Sequence, residues 1–218
     1  MLRNIAIIGA GGFGREIALL ISQINAQKEV WKLVGFYDDH PDLQGKNYAG
    51  LPVLGTTDAL NRVEKQLSVV IAVGSPQVKR KIFQKLLNPY LRFPTLIHPG
   101  AIFGGGTQFG IGNIICAGTI LTVNNVLGDF VTINLGCTVG HDTRIGAFSS
   151  VMPGVCISGE VLIEEGVYIG TGANIINQVE IGEESIIGAG ALVNKSSPGF
   201  CTLVGVPARI IRIFKPTY

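Results

Sequence analysis

At 218 residues the chain can hold one large domain or two small ones, and its 17 basic and 15 acidic side chains leave a net charge of +2. No long run of either sign marks a nucleic-acid or membrane-surface binder. No apolar run spans a bilayer, a Gly-rich motif interrupts the N-terminus where a signal peptide needs an apolar core, and Cys116, Cys137, Cys156 and Cys201 lack CxxC spacing, so a soluble cytoplasmic protein with reduced thiols is expected.

Residues 4–8 are a short apolar run that predicts a buried strand. It leads into Gly9-Ala10-Gly11-Gly12-Phe13-Gly14 and then into helix-forming residues 15–21. Strand, GxGxxG and helix in succession predict a loop whose amides approach a phosphate, with the helix dipole behind it. The competing reading is a Gly loop that merely turns tightly. A second strand, 32–37, ends in Asp38 and Asp39, whose carboxylates suit ribose hydroxyls or a base. A helix capped by Thr57 or Asp58 follows, then a third parallel strand over 68–73. Gly74-Ser75-Pro76 opens a helix over 77–87, with Lys79, Arg80, Lys81 and Lys85 on its polar side. This first domain, 1–95, is a Rossmann-like α/β half, one βαβαβ unit, which suits a mononucleotide better than NAD.

From Ile97 to Val193 every sixth residue is aliphatic or Phe, 17 positions without a break. At 47 % apolar content, chance gives such a run on the order of a few times per million. A period of six fits neither a helix nor a simple alternating strand; it fits a parallel β-helix in which each hexad supplies one short strand and one corner. The large residue points into the bore. Two places earlier stands a small or β-branched one (Ala101, Thr119, Val131, Cys137, Val155), and packing is the role expected of Cys137. The following place is often Gly, which is expected to supply corner geometry. The β-helix domain is 96–218, where residues 205–214 serve as a C-terminal cap for the open bore.

Three histidines carry candidate chemistry: His40 in a polar loop, His98 at the first rung, and His141 at a corner of the ladder, followed by Asp142. A corner His beside a carboxylate is either a general base poised near neutral pH or a solvated surface residue.

The segment 134–146, the Gly loop, the Asp38-Asp39 strand end, the hexad ladder and the Gly205-Val206-Pro207-Ala208 tail together resemble the NeuD/PglD-type bacterial sugar acyltransferases. The resemblance spans essentially the full chain. It implies a left-handed parallel β-helix of three hexads per coil, a homotrimer with sites between neighbouring subunits, and acetyl-CoA as co-substrate with no metal. It further implies His141 as the base, Asp142 orienting it, and Asn134 lining the same pocket. Main-chain groups at Gly159, Thr171 and Ala189 would hold acetyl-CoA, and Gly9, Gly11, Gly12, Gly14, Asp38 and Asp39 the acceptor's nucleotide. Some members of that family carry His where this chain has Ser150 and Phe13.

The activity so implied is N-acetylation of a nucleotide-activated 4-amino sugar for surface glycans. The alternatives are O-acetylation of a sialic-acid-like sugar and a non-catalytic nucleotide-binding scaffold. A β-helical zinc carbonic anhydrase is rejected because only His98 and His141 lie in the ladder region. An NAD-dependent oxidoreductase is disfavoured by the short first domain.

Overall fold

The computed structural model describes residues 2–48 and 50–215. The chain divides into two compact units, Met1–Pro99 and Gly100–Tyr218.

In the first unit, β1 (Arg3–Ile8) is the central strand of a sheet. Parallel β2 (Trp31–Tyr37) and β5 (Leu67–Ile71) flank it on opposite sides. Residues 5–8 of β1 and all of β5 are buried, which is why these stretches, Ser68 apart, are apolar and do not alternate. Two parallel strands not read from the sequence widen the sheet: β4 (Leu51–Gly55) beside β2 and β6 (Leu91–Arg92) beside β5. The first contains Pro52, which a strand tolerates near a sheet edge, and it sits beside the two-residue antiparallel edge strand β3 (Asn47–Tyr48). Helix α1 (Gly12–Gln27) follows the Gly loop. Helix α2 (Pro76–Lys85) starts on a Ser75 cap, with the Val78 amide donating to Ser75 Oγ at 3.4 Å.

Two expectations are corrected in this unit. The helix expected near Thr57 is a 3-10 segment, Thr57–Arg62, and Asp39 supplies the acceptor, its Oδ1 taking the Thr57 amide at 2.7 Å. Lys79 does not lie on the polar side of α2; it is fully buried, and burial pushes its ammonium down to about 7.

The second unit is the expected left-handed β-helix. Two-residue strands stack in parallel with a constant offset of 18 residues: Ile114 pairs Thr132, Ile120 pairs Thr138, and Val126 pairs Arg144. Three hexads therefore close one coil. The first face carries Ile114–Ile115, Thr132–Ile133 and their successors, the second Ile120–Leu121 and Thr138–Val139, and the third Val126–Leu127 and Arg144–Ile145. From Ile115 to Val193 every sixth residue is at most 3 % exposed. Full burial of each such side chain contributes about 1.5–3 kcal/mol. Residues 205–208 turn back on the last rung, where the Ala208 amide donates to Leu192 O at 2.8 Å. Arg209–Ile213 does not cover the bore; it lies exposed as the antiparallel edge of the first face.

The corners place glycine differently from the sequence expectation. The glycine directly after a rung has no left-handed φ; it is there because the next coil is close. A methyl group on Gly146 would lie 2.5 Å from the Glu164 carbonyl carbon. The left-handed residue comes two places later, at Gly118, Asn124, Phe130, Gly136, Asp142 and Phe148 in succession. Non-glycine residues in that region are uncommon, and Asn and Asp tolerate it best.

Candidate functional site

The corner between the second and third faces presents His141. Asp142, at φ 56°, turns back so that its Oδ2 lies 2.8 Å from His141 Nδ1. Both side chains are about half exposed, 54 % and 50 %. A carboxylate can only accept here, so Nδ1 carries the proton and Nε2 is left as the free basic nitrogen. The His141 bond first, and a bond from Asn124 second, hold the Asp142 carboxyl below the usual carboxylate range. The imidazole rests on the next coil: a methyl group on Gly159 would lie 2.5 Å from Nε2. Only glycine leaves room for the ring in this position.

The other residues expected at this site stand elsewhere on the chain. Asn134 lies at the preceding corner, between the first and second faces, largely buried, and its Oδ1 accepts the Leu135 amide at 2.7 Å. Thr171 and Ala189 follow the rungs Tyr168–Ile169 and Ile186–Ile187 and share that preceding corner. The residues therefore form two groups: His141, Asp142 and Gly159 on one edge of the second face, and Asn134, Thr171 and Ala189 on the other. About six residues of extended chain separate the edges, on the order of 15–20 Å of contour.

In the first unit the four loop glycines also fall into two groups. Gly9 has φ +100° and a methyl there would lie 2.9 Å from Ala72 O, while one on Gly14 would collide with Gly9 O. Those two are required by the fold. Gly11 and Gly12 have open space above them, and α1 begins on Gly11 with no side-chain cap and no acidic residue in its first turn. The first amides of the helix thus face an unobstructed, electropositive position. Asp38 ties this loop to the end of β2: its Oδ2 accepts the Ala10 amide at 2.8 Å and its Oδ1 the His40 amide at 2.9 Å. Across the loop, residues 72–75 follow β5, where the chain order reverses beside β1, the usual position of a ligand crevice in such sheets.

Two residues escaped the sequence reading. Asn124 donates from Nδ2 to Asp142 Oδ1 at 3.0 Å, and Asn125 from Nδ2 to Gly140 O at 2.6 Å. The signal was present in the 18-residue coil, which sets Asn124 directly beside Asp142. Cys137 is buried, with its thiol pushed up to about 11, as fits a packing role. Among the described residues no cluster of three or more His, Cys, Asp or Glu could hold a metal ion, and no helix is long and apolar enough to cross a membrane.

A nucleotide-type loop on one unit and a His–Asp corner on a hexapeptide ladder define a class. The chain belongs to the bacterial hexapeptide-repeat sugar acetyltransferases with a PglD-type N-terminal domain: residues 4–86 match the PglD N-terminal domain and 160–195 the bacterial transferase hexapeptide (six repeats). It is 34 % identical to the GDP-perosamine N-acetyltransferase of Escherichia coli O157:H7 over 93 % of this chain and 94 % of that one. The acetyltransferase domain of PglB from Neisseria gonorrhoeae, solved with acetyl coenzyme A, superposes with a TM-score of 0.88 at 34 % identity, covering 97 % of this chain and all of that one. PerB from Caulobacter crescentus, solved with CoA and GDP-perosamine, gives 0.85 at 30 % identity over 96 % and 98 %.

Proposed function

We propose that this chain transfers the acetyl group of acetyl-CoA to the amine of a nucleotide-linked 4-amino sugar destined for a surface glycan. The observation that carries the chemistry is the Nδ1–Oδ2 contact of 2.8 Å, which fixes the tautomer of a half-exposed His141. Nε2 takes a proton from the neutral sugar amine as its nitrogen attacks the thioester carbonyl. The C–N bond forms, the C–S bond breaks, and the departing CoA thiolate takes up the proton. Asp142 stabilises the transient imidazolium without taking its proton.

The acceptor's phosphates would lie on the Gly11–Gly12 amides, with Asp38 and Asp39 nearby. Both carboxylates already hold backbone amides, so any nucleotide contact adds to a structural role. The amides of Gly159, Thr171 and Ala189, which find no acceptor within the described residues, are suited to the pantetheine arm. Because Asn134, Thr171 and Ala189 sit one corner away from His141, we infer a homotrimer in which one subunit's His141 edge meets another's Thr171 edge. Acetyl-CoA as donor fits a cytoplasmic enzyme.

Incubation with acetyl-CoA and GDP-perosamine, or a UDP-linked 4-amino sugar, is expected to release free thiol and N-acetylated product. Binding of both ligands without thiol release would overturn the reading. Sedimentation is expected to give the trimer mass; a fully active monomer would contradict the shared site.

A further inference from the structure

Beneath the His141 corner, one coil earlier, the chain reads Val123-Asn124-Asn125. The two amides reach it from opposite sides. Outside, Asn124, itself at φ 57°, donates to the Asp142 oxygen that His141 does not use. Inside, fully buried Asn125 donates to the carbonyl of Gly140, the peptide immediately before His141. A main-chain bond from the Asp142 amide to Val123 O, 3.0 Å, lies between them.

Asn125 departs from the pattern of its own rung. At equivalent inward positions a hydroxyl does both jobs: Ser149 Oγ donates to Glu164 O at 2.9 Å and accepts the Val167 amide at 3.1 Å, and Thr143 does the same with Ser158 and Val161. Asn113, also inward, accepts the Val131 amide through its Oδ1. Asn125 alone of these leaves its buried Oδ1 without a partner. A buried unpaired oxygen is rare and asks for a reason. The reason on offer is the short bond from its Nδ2 to the peptide that carries His141.

We propose that Asn124 and Asn125 are positioning residues for His141, Asn124 by locking the Asp142 carboxylate and Asn125 by fixing the Gly140 peptide. This rests on His141 being the base. With both Asp142 oxygens held by donors, the carboxylate keeps one rotamer and the imidazole keeps Nε2 forward. The Asn124 amide also withdraws charge from Asp142, consistent with the lowered carboxyl there.

The test uses thiol-release kinetics of the full-length protein against pH. Asn124→Gly keeps the left-handed backbone and deletes the amide. Its kcat is expected to fall about tenfold, the effect of one hydrogen bond to a charged group, with KM for acetyl-CoA unchanged. Freed of its donor, the carboxylate holds the His141 proton harder, so the acid limb of the kcat profile moves to higher pH. Asn124→Asp, which adds a charge, moves it further in the same direction. Asn125→Thr restores the hydroxyl pattern; the melting temperature is expected to hold or rise while kcat falls severalfold.

His141→Ala separates the two levels. Near-normal turnover there would sink the base and this proposal together. If His141→Ala is inactive yet Asn124→Gly keeps the wild-type kcat and acid limb, the base stands and the positioning role is wrong. The role is equally overturned if Asn124→Gly lowers the residual rate of His141→Ala by the same factor as in the wild type, because coupled residues are not additive.

Discussion

The Gly9–Gly14 loop and the ladder corners are both rich in glycine, and they use it differently. In the loop, Gly9 and Gly14 answer to φ and to packing, while Gly11 and Gly12 answer to nothing in the protein. At the corners, Gly140 and Gly146 are forced by the next coil, and Gly136 and Gly154 are favoured by left-handed φ. Gly159 is forced by a side chain, the His141 ring. In the proposed function the loop glycines that the fold does not need are assigned to the acceptor, and the glycine beneath the imidazole to the chemistry.

Five substitutions would break or sharpen this contrast. The largest effect is expected for His141→Ala, a loss of about 10²–10⁴-fold in kcat, the range for a missing general base, measured by thiol release. Binding of both substrates is expected to persist; if it disappears, the corner is a docking element and not a proton acceptor. Next comes Gly159→Ala, which must push the ring aside. A displacement near 1 Å can cost about a hundredfold, so kcat is expected to drop by roughly ten- to a hundredfold with acceptor affinity intact. Unaltered kcat would show that the ring position is not critical.

Smaller effects separate the loop glycines. Gly11→Ala is expected to weaken acceptor binding about tenfold in calorimetry with no change in melting temperature, whereas Gly14→Ala is expected to destabilise the unit by about 1–3 kcal/mol through overpacking. Equal behaviour of the two would erase the distinction drawn above. The last is Asp38→Ala. Loss of a bond to a charged group allows up to about 1.5–3 kcal/mol of acceptor affinity, and the carboxylate's hold on Ala10 means that part of it acts through loop order. The acetyl-CoA constant is expected to stay constant. Its movement in place of the acceptor's would reverse the division of labour between the units.

The ladder was legible because one period repeats 17 times and burial enforces the 14 rungs from Ile115 to Val193; at the open start Ile97 and Phe109 are only partly covered and Phe103 is exposed. Which residues touch across coils was less so. Asn124 and Asn125 lie 18 and 15 residues from Asp142 and Gly140 when counted along the chain; in space they are one strand spacing away, about 4.8 Å. Reading that required the coil length, which the hexad alone does not give. Asn134 shows the converse. Seven residues from His141 it looked like a neighbour, yet the whole width of the second face, strand Thr138–Val139, lies between them. In the first unit β1, β2 and β5 could be read from apolar runs, whereas β4 was hidden by Pro52 and β6 by having two residues. Lys79 was misplaced because helical periodicity assigns faces but not what covers them.

The 18-residue register has a consequence for how such a protein can change its length. A single inserted residue between rungs would swap bore and solvent for everything downstream until a corner absorbed it. A duplicated hexad would keep all apolar residues inside, yet carry every later side chain round by one face, leaving His141 on the wrong edge relative to whatever precedes it. Only a whole coil, 18 residues, returns each column to its address. Growth of this unit is therefore quantised: the ladder can be lengthened by full coils without re-aiming His141, and intermediate lengths are closed to it.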